Sequence, residues 1–390
     1  MTDPGRLAAA AAETLERLIA FDTTSRRSNL ELIAFAEERL AACGAEMRRV
    51  ANSDGSKANL IACIGPDADG GVLLSGHTDV VPVDGQAWSS DPFVLTLRDG
   101  RYYGRGTADM KAFLALALAA APDFAAQPLK RPVQLAFSYD EEIGCLGAPS
   151  LIRELLRSGP QPGVVIVGEP TSMETVSGHK GIATFRVTVT GKEAHSSLTH
   201  LGVSAIMEAV KLIALLSEIA QELERNADPS SPFTPKGASL TIGQIQGGTA
   251  VNILARECVF AFDLRAPPGV DVQKVLAPVF DLVARLDAEL KARAPEAGVR
   301  IETRSGTPSL NPHPDSEAEI LARRLAGDNG AARVVSYAAE AGQFQEAGYS
   351  TVICGPGSIE QAHQPNEYLD VSQLERGAAF MARLVEHLAQ

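Results

Sequence analysis

The sequence predicts an α/β protein in which a domain built on a mixed, mostly parallel sheet is interrupted in mid-chain by an inserted α+β domain. Three observations carry that expectation. Short apolar runs alternate with helical segments up to about residue 177, strand-like alternation between two long helices replaces that rhythm over 178–296, and the rhythm returns over 297–390. At 390 residues the chain is too long for one ordinary core, so two domains are the natural number. The expected boundaries are therefore 1–177 with 297–390 for the first domain and 178–296 for the insert.

Helical periodicity marks 5–20 and 29–43. Apolar runs at 71–76, 133–137 and 164–167 then read as strands, with helices at 110–121 and 147–157 between them. In the insert, 184–190 alternates like a half-exposed strand, 238–246 and 257–264 are strand-like, and 202–224 and 272–293 carry long amphipathic helix patterns. Beyond it come strands at 334–335 and 351–354 and a closing helix at 371–388. Parallel sheets of this kind bind ligands at the C-terminal ends of their strands, so the polar residues just past each apolar run are the ones that matter.

Composition narrows the function classes. Hydrophobic residues make up 45% and charged residues 21%, the balance of a soluble globular protein with a sizeable core. The formal net charge is −13 and no run of lysines or arginines stands out, which argues against a nucleic-acid partner. No apolar run approaches membrane-spanning length, and the stretch 7–12 is succeeded at once by Glu13, Glu16 and Arg17, giving an amphipathic helix instead of a secretory leader. The expected location is the cytoplasm. Cys43, Cys63, Cys145, Cys258 and Cys354 are odd in number, widely spaced and mostly set in apolar runs, so they read as reduced core residues.

The residues at the strand ends carry the chemistry. Ser75-Gly76-His77-Thr78-Asp79-Val80 places His77 and Asp79 on the same side of an extended segment. That suits a metal-binding imidazole whose other nitrogen is held by a carboxylate, or equally a hydrogen-bonded strand-end pair. Gly104-Arg105-Gly106-Thr107-Ala108-Asp109 precedes a helix, where Asp109 serves either as a cap or as a ligand approached closely by glycine backbone. Asp140-Glu141-Glu142 are three consecutive acids that repel unless a helix terminus or a cation relieves them; in a metal centre one would ligate and its neighbour act as general base. Gly168-Glu169-Pro170 and Gln361-Ala362-His363-Gln364-Pro365 complete the set. Acids and imidazoles at five separate strand ends point jointly to metal, with His77, Asp109, Glu142, Glu169 and His363 as candidate ligands. Oxygen and imidazole ligands without thiolate favour zinc, with cobalt or manganese as alternatives. Three carboxylates and two imidazoles suffice for two ions about 3.5–4 Å apart that share one bridging carboxylate.

These residues, in this order, resemble the M20 di-zinc metallopeptidase family, which includes acetylornithine deacetylases, succinyl-diaminopimelate desuccinylases, aminoacylases and glutamate carboxypeptidases. The match runs from His77 to His363. The resemblance implies a zinc-peptidase-like catalytic domain in which His77, Asp109 and Glu169 hold one zinc, Asp109, Glu142 and His363 hold the other, Glu141 is the general base and Asp79 supports His77. It also implies that the insert is a lid and dimerisation domain of a homodimer. Gly191-Lys192-Glu193-Ala194-His195-Ser196 resembles the family's motif for an oxyanion-stabilising His195. Gly247-Gly248-Thr249-Ala250-Val251-Asn252 and Asp263-Leu264-Arg265 resemble the segments whose Asn252 and Arg265 would hold the substrate carboxylate, although Leu254-Ala255 stand where the family commonly has a proline. Glu340 would pair with a cationic substrate amine. The stretch 355–367 is most similar to the acetylornithine deacetylases. That similarity implies a small N-acyl amino acid as substrate, foremost N2-acetyl-L-ornithine cleaved to L-ornithine and acetate in arginine biosynthesis. The alternatives are a desuccinylase, an aminoacylase, a dipeptidase or carboxypeptidase of the same family, and a binding relative without turnover. A serine hydrolase is excluded, since no Gly-x-Ser-x-Gly elbow stands between a strand and a helix.

Overall fold

The computed structural model describes residues 2–390, which divide into two units. The first runs to Gly178 and resumes over Leu310–Val334 and Ala339–Gln390; the second comprises His179–Ser309 and Val335–Ala338. In the first unit α1 (Pro4–Ile19) starts where the Asp3 carboxylate accepts the Gly5 N–H at 2.9 Å and proline takes the first turn, and its stripe Leu7, Ala11, Leu15 and Leu18 is buried. Next in the chain come α2 (Leu30–Ala41), β1 (Glu46–Ala51), β2 (Ala58–Ile64), β3 (Gly71–His77), the short strands β4 (Thr96–Arg98) and β5 (Arg101–Tyr103), α3 (Lys111–Ala126), β6 (Val133–Ser138), α4 (Ala148–Arg157), β7 (Pro162–Val167) and β8 (Val176–His179).

The second unit contains β9 (Gly181–Thr190), α5 (Ala205–Arg225), β10 (Ser239–Gly247), β11 (Glu257–Ala266), α6 (Val272–Arg293) and β12 (Gly298–Thr307). Its antiparallel sheet has the order β10-β11-β9-β12. Residues of β9 alternate between buried and partly or fully exposed, as a sheet with helices on one face requires. From α6, Leu276, Val279, Val283, Leu286 and Leu290 recur at helical spacing into the same apolar core as Phe185 and Val187 of β9. The boundary expected at residue 297 is early. Gly298–Thr307 pairs with β9, Val299 opposite Val189 and Ile301 opposite Val187, so this strand completes the second sheet.

The first unit then closes with α7 (Glu317–Ala326), β13 (Arg333–Val335), α8 (Ala341–Glu346), β14 (Ser350–Ile353), β15 (Tyr368–Asp370) and α9 (Val371–Ala389). Its eight-stranded sheet has the order β1-β2-β6-β3-β7-β14-β8-β13. The four central strands β6, β3, β7 and β14 run parallel, and β1 and β2 are antiparallel additions at one edge. Every residue of β3 and β6 is buried, the signature of strands covered on both faces. Because four neighbouring strands share one direction, the turns after His77, Ser138, Val167 and Ile353 all leave from the same end of the sheet. Among the described residues no helix is long and apolar enough to cross a membrane.

Candidate metal centre

At that end of the sheet two groups of ligand atoms come together, His77 with Asp109 and Glu169, and Asp109 with Glu142 and His363, each set lying within 4.8 Å of one another. Asp109 belongs to both. Its Oδ1 is 3.0 Å from His77 Nε2 and its Oδ2 is 3.4 Å from His363 Nε2. Glu142 Oε2 lies 3.0 Å from His363 Nε2, and Glu169 Oε1 lies 3.9 Å from His77 Nε2. All five ligands expected from the sequence therefore meet, in the pairing that the family resemblance implies.

Local sequence explains how each is delivered. Gly168, before Glu169, packs so tightly on α3 that an added Cβ would stand 2.0 Å from the Phe113 ring; only glycine lets the turn after β7 carry its acid inward. Gly106 has φ 89°, in the left-handed region, and a Cβ there would meet Val80 at 2.9 Å. His77 Nδ1 donates to the Asp79 carbonyl at 2.9 Å, which fixes the ring and leaves Nε2 as the nitrogen that faces Asp109. This corrects the role expected of the Asp79 carboxylate, whose nearer oxygen is 3.7 Å from Nδ1. The carboxylate instead accepts the Glu141 N–H at 3.0 Å, the Glu142 N–H at 3.3 Å and the Ser25 hydroxyl at 2.7 Å. Asp79 thus orients His77 through its main chain and the Glu141–Glu142 turn through its side chain.

So many acids in so small a space perturb one another. Burial, reinforced by the Asp109 charge, pushes Glu142 up to about 7 and Glu169 well above the usual carboxylate range. Burial likewise lifts Glu141 to about 8, against the pull of His77 and with help from Glu142 and Asp109. Hydrogen bonds to Asp109 and Glu142 raise His363 to about 10. For Asp109 the two imidazoles outweigh burial, and its carboxyl stays below the ordinary range. The donor chemistry fits two cations, and two orphaned atoms make the same point: Glu142 Oε1 and Glu169 Oε1 are buried without a hydrogen-bond partner.

Glu141 belongs to neither triad, and its Oε1 accepts a hydrogen bond from Cys145 Sγ at 3.2 Å. Glu340 is buried, with Ser75 Oγ at 2.6 Å on one oxygen and Ser138 Oγ at 2.8 Å on the other. A carboxylate so enclosed beneath the ends of β3 and β6 has no free face for a substrate amine, which corrects the role expected for it. The other expected substrate contacts lie in the second unit. His195 is exposed, bonded through Nδ1 to Ser197 Oγ at 2.8 Å and bridged by main chain to Ile253, so it sits beside the Asn252 turn. Arg265 Nε donates to Asp263 at 3.0 Å. Sequence reasoning passes over Arg105 and Glu367, which form a buried ion pair of 2.6 Å across 262 positions. No local pattern joins residues so far apart.

Paired triads sharing one carboxylate, with a further uncommitted carboxylate beside them at the end of a parallel sheet, define a metal-dependent hydrolase of the two-ion type. A sequence model described as Peptidase family M20/M25/M40 matches residues 73–387, and the chain belongs to that family. It is similar to an acetylornithine deacetylase of Myxococcus xanthus, 37% identical over 379 residues and covering 96% of each chain. Another acetylornithine deacetylase, from Proteus mirabilis, is 34% identical over 371 residues, 94% of this chain and 92% of the relative. Among solved structures, an M20 family metallo-carboxypeptidase from Sulfolobus solfataricus superposes with a TM-score of 0.76 at 18% identity over 97% of this chain and 99% of its own, a likeness of fold.

Proposed function

We propose that the protein removes the acyl group from an N-acyl amino acid, with N2-acetyl-L-ornithine as substrate and L-ornithine and acetate as products, a step of arginine biosynthesis in the cytoplasm. The observation that carries the reading is Glu141: a half-buried residue whose carboxylate lies beside both triads, left out of either, with a pKa pushed up to about 8 by desolvation. A group poised there is matched to proton transfer near neutral pH. The names of the curated relatives support the choice of substrate.

Two zinc ions held by His77, Asp109 and Glu169 and by Asp109, Glu142 and His363 would supply Lewis acidity and lower the pKa of water. Glu141 takes the proton of the attacking water on its carboxylate and returns it to the departing amine nitrogen. Asp79 fixes the Glu141 main chain for this, and Cys145 steadies one of its oxygens. His195 donates to the developing oxyanion, an interaction that strengthens toward the transition state. Asn252 and Arg265 hold the substrate carboxylate.

These last two residues favour a homodimer. Arg265 pairs with Ile182 and Glu257 with Thr190, so Arg265 and the strand end leading to Asn252 are eight positions apart along β9, about 26 Å at the strand rise. One chain cannot close both on a single carboxylate within this unit. A second copy can supply His195 and Asn252, and the means of pairing stand on the surface: β10 is an edge strand with Ile245 exposed, and Met207 and Val210 are exposed on α5.

The test is a kinetic screen of the zinc-loaded protein against N-acetyl-ornithine, N-succinyl-diaminopimelate, other N-acetyl amino acids and dipeptides. The highest kcat/KM is expected with N-acetyl-ornithine. A preference for a dipeptide or a succinylated substrate would overturn the substrate, and full activity in metal-free protein would overturn the mechanism.

A further inference from the structure

We infer that Glu367 is a positioning residue that welds the Asp109 loop to the His363 loop, and that it sets the affinity for the ion between Asp109, Glu142 and His363 far more than for the other. The inference rests on the two-ion reading above.

Glu367 is fully buried, four positions after His363 in the same loop. Its Oε2 accepts Arg105 Nη1 at 2.6 Å and the Gly106 N–H at 3.0 Å; its Oε1 accepts the N–H groups of Ala108 at 2.8 Å and Asp109 at 3.0 Å. Its own carbonyl accepts the Gly104 N–H at 3.1 Å. One carboxylate thus has each oxygen doubly occupied by donors from the segment that ends in the bridging ligand. The other half of the weld is Gln86. Its Nε2 donates to the His363 carbonyl at 2.9 Å, while its Oε1 accepts Arg105 Nη2 at 2.7 Å and Trp88 Nε1 at 3.0 Å. The chain Glu367–Arg105–Gln86 therefore holds the main chain on both sides of the pair Asp109 and His363.

The two triads depend on this weld unequally. His77 ends β3 and Glu169 lies just past β7, so two of the three ligands of the first triad hang directly on neighbouring parallel strands. The second triad takes Asp109 and His363 from loops that Glu367 joins, and His363 has φ 64°, a left-handed conformation that the loop must enforce. An amide at position 367 would turn its NH2 against two of the four donors. Asp109 and His363 would then shift relative to each other, and only the ion that needs both would feel the whole shift.

The experiment strips the full-length protein and its E367Q variant of metal, then titrates each with cobalt, read by calorimetry and by visible absorption. In the variant the first equivalent is expected to bind within about threefold of the unsubstituted protein, and the second about 10–100-fold more weakly with an altered visible spectrum. Two unchanged equivalents, or two weakened by the same factor, overturn the positioning role. Should E367Q not fold, Q86A carries the same test: it leaves every Glu367 contact in place and is expected to weaken the second equivalent alone, by about three- to tenfold. Equal or absent effects there overturn the proposal likewise. An unsubstituted protein that takes up fewer than two ions overturns the two-ion reading itself, and is told apart from these outcomes because it appears before any substitution is made.

Discussion

At the scale of single residues, protons and cations compete for the same atoms. Burial holds the Glu142 carboxyl at about 7, and the bonds to Asp109 and Glu142 hold His363 at about 10, so of this pair both carry protons that an ion must displace below pH 7, while above it Glu142 has lost its proton and His363 keeps one. Both pKa values are raised, so the protonated forms are favoured at low pH and ion binding tightens as pH rises through 7. Calorimetry of zinc binding in buffers of different ionisation enthalpy should show more protons released per protein at pH 6 than at pH 8.5. A release that does not change with pH would sink this account. Four of the candidate ligands, His77, Asp109, Glu142 and Glu169, are legible in the sequence because each ends or closely follows an apolar run or opens a helix, where a parallel sheet delivers side chains to one edge; His363 comes later, in the loop between β14 and β15. Asp79 and Glu340 depart from expectation for a common reason. Sequence shows which residue type stands near a strand end but not which atom faces the ligand, and in the fold Asp79 offers a carbonyl to His77 while Glu340 turns under the sheet toward two serines.

At the scale of elements, the turn after β7 is fixed by contact with α3. Replacing Gly168 by alanine puts a methyl group 2.0 Å from the buried Phe113 ring, so helix or turn must move. Overpacking of this kind costs about 1–3 kcal/mol, seen as a lower denaturation midpoint at constant m-value. Combined with F113A the alanine has room, and the two losses should fall short of their sum. Strict additivity would show that the contact does not shape the turn. The same physics governs which elements can be read. Runs buried on both faces, such as β3, β6 and β7, announce themselves as unbroken apolar stretches. Strand β1 carries Arg48 and Arg49 at an edge, and β12 carries Arg300, Glu302 and Arg304 on its open side, so neither shows an apolar run. The loss of β12 displaces the expected boundary of the insert.

At the scale of the whole molecule, the proposed roles of Arg265, His195 and Asn252 make the number of chains in one site a testable matter, since Arg265 and the strand end leading to Asn252 stand eight positions apart along β9. If His195 acts across a dimer, a chain lacking Glu141 and a chain lacking His195 repair each other. Each E141Q chain contributes an intact His195 to the H195A partner, whose Glu141 is intact, so every mixed dimer has one complete site. Random exchange of equal amounts makes half the dimers mixed, and the mixture should recover about a quarter of the unsubstituted activity from two nearly inactive parents. If His195 serves its own chain, each site in a mixed dimer still lacks one group and mixing recovers nothing. The control lies on the edge strand. I245K places a charge on the open side of β10, and the same mixing experiment in that background should stay inactive as the protein elutes as a monomer. Recovery that survives in monomeric protein would rule out the shared site.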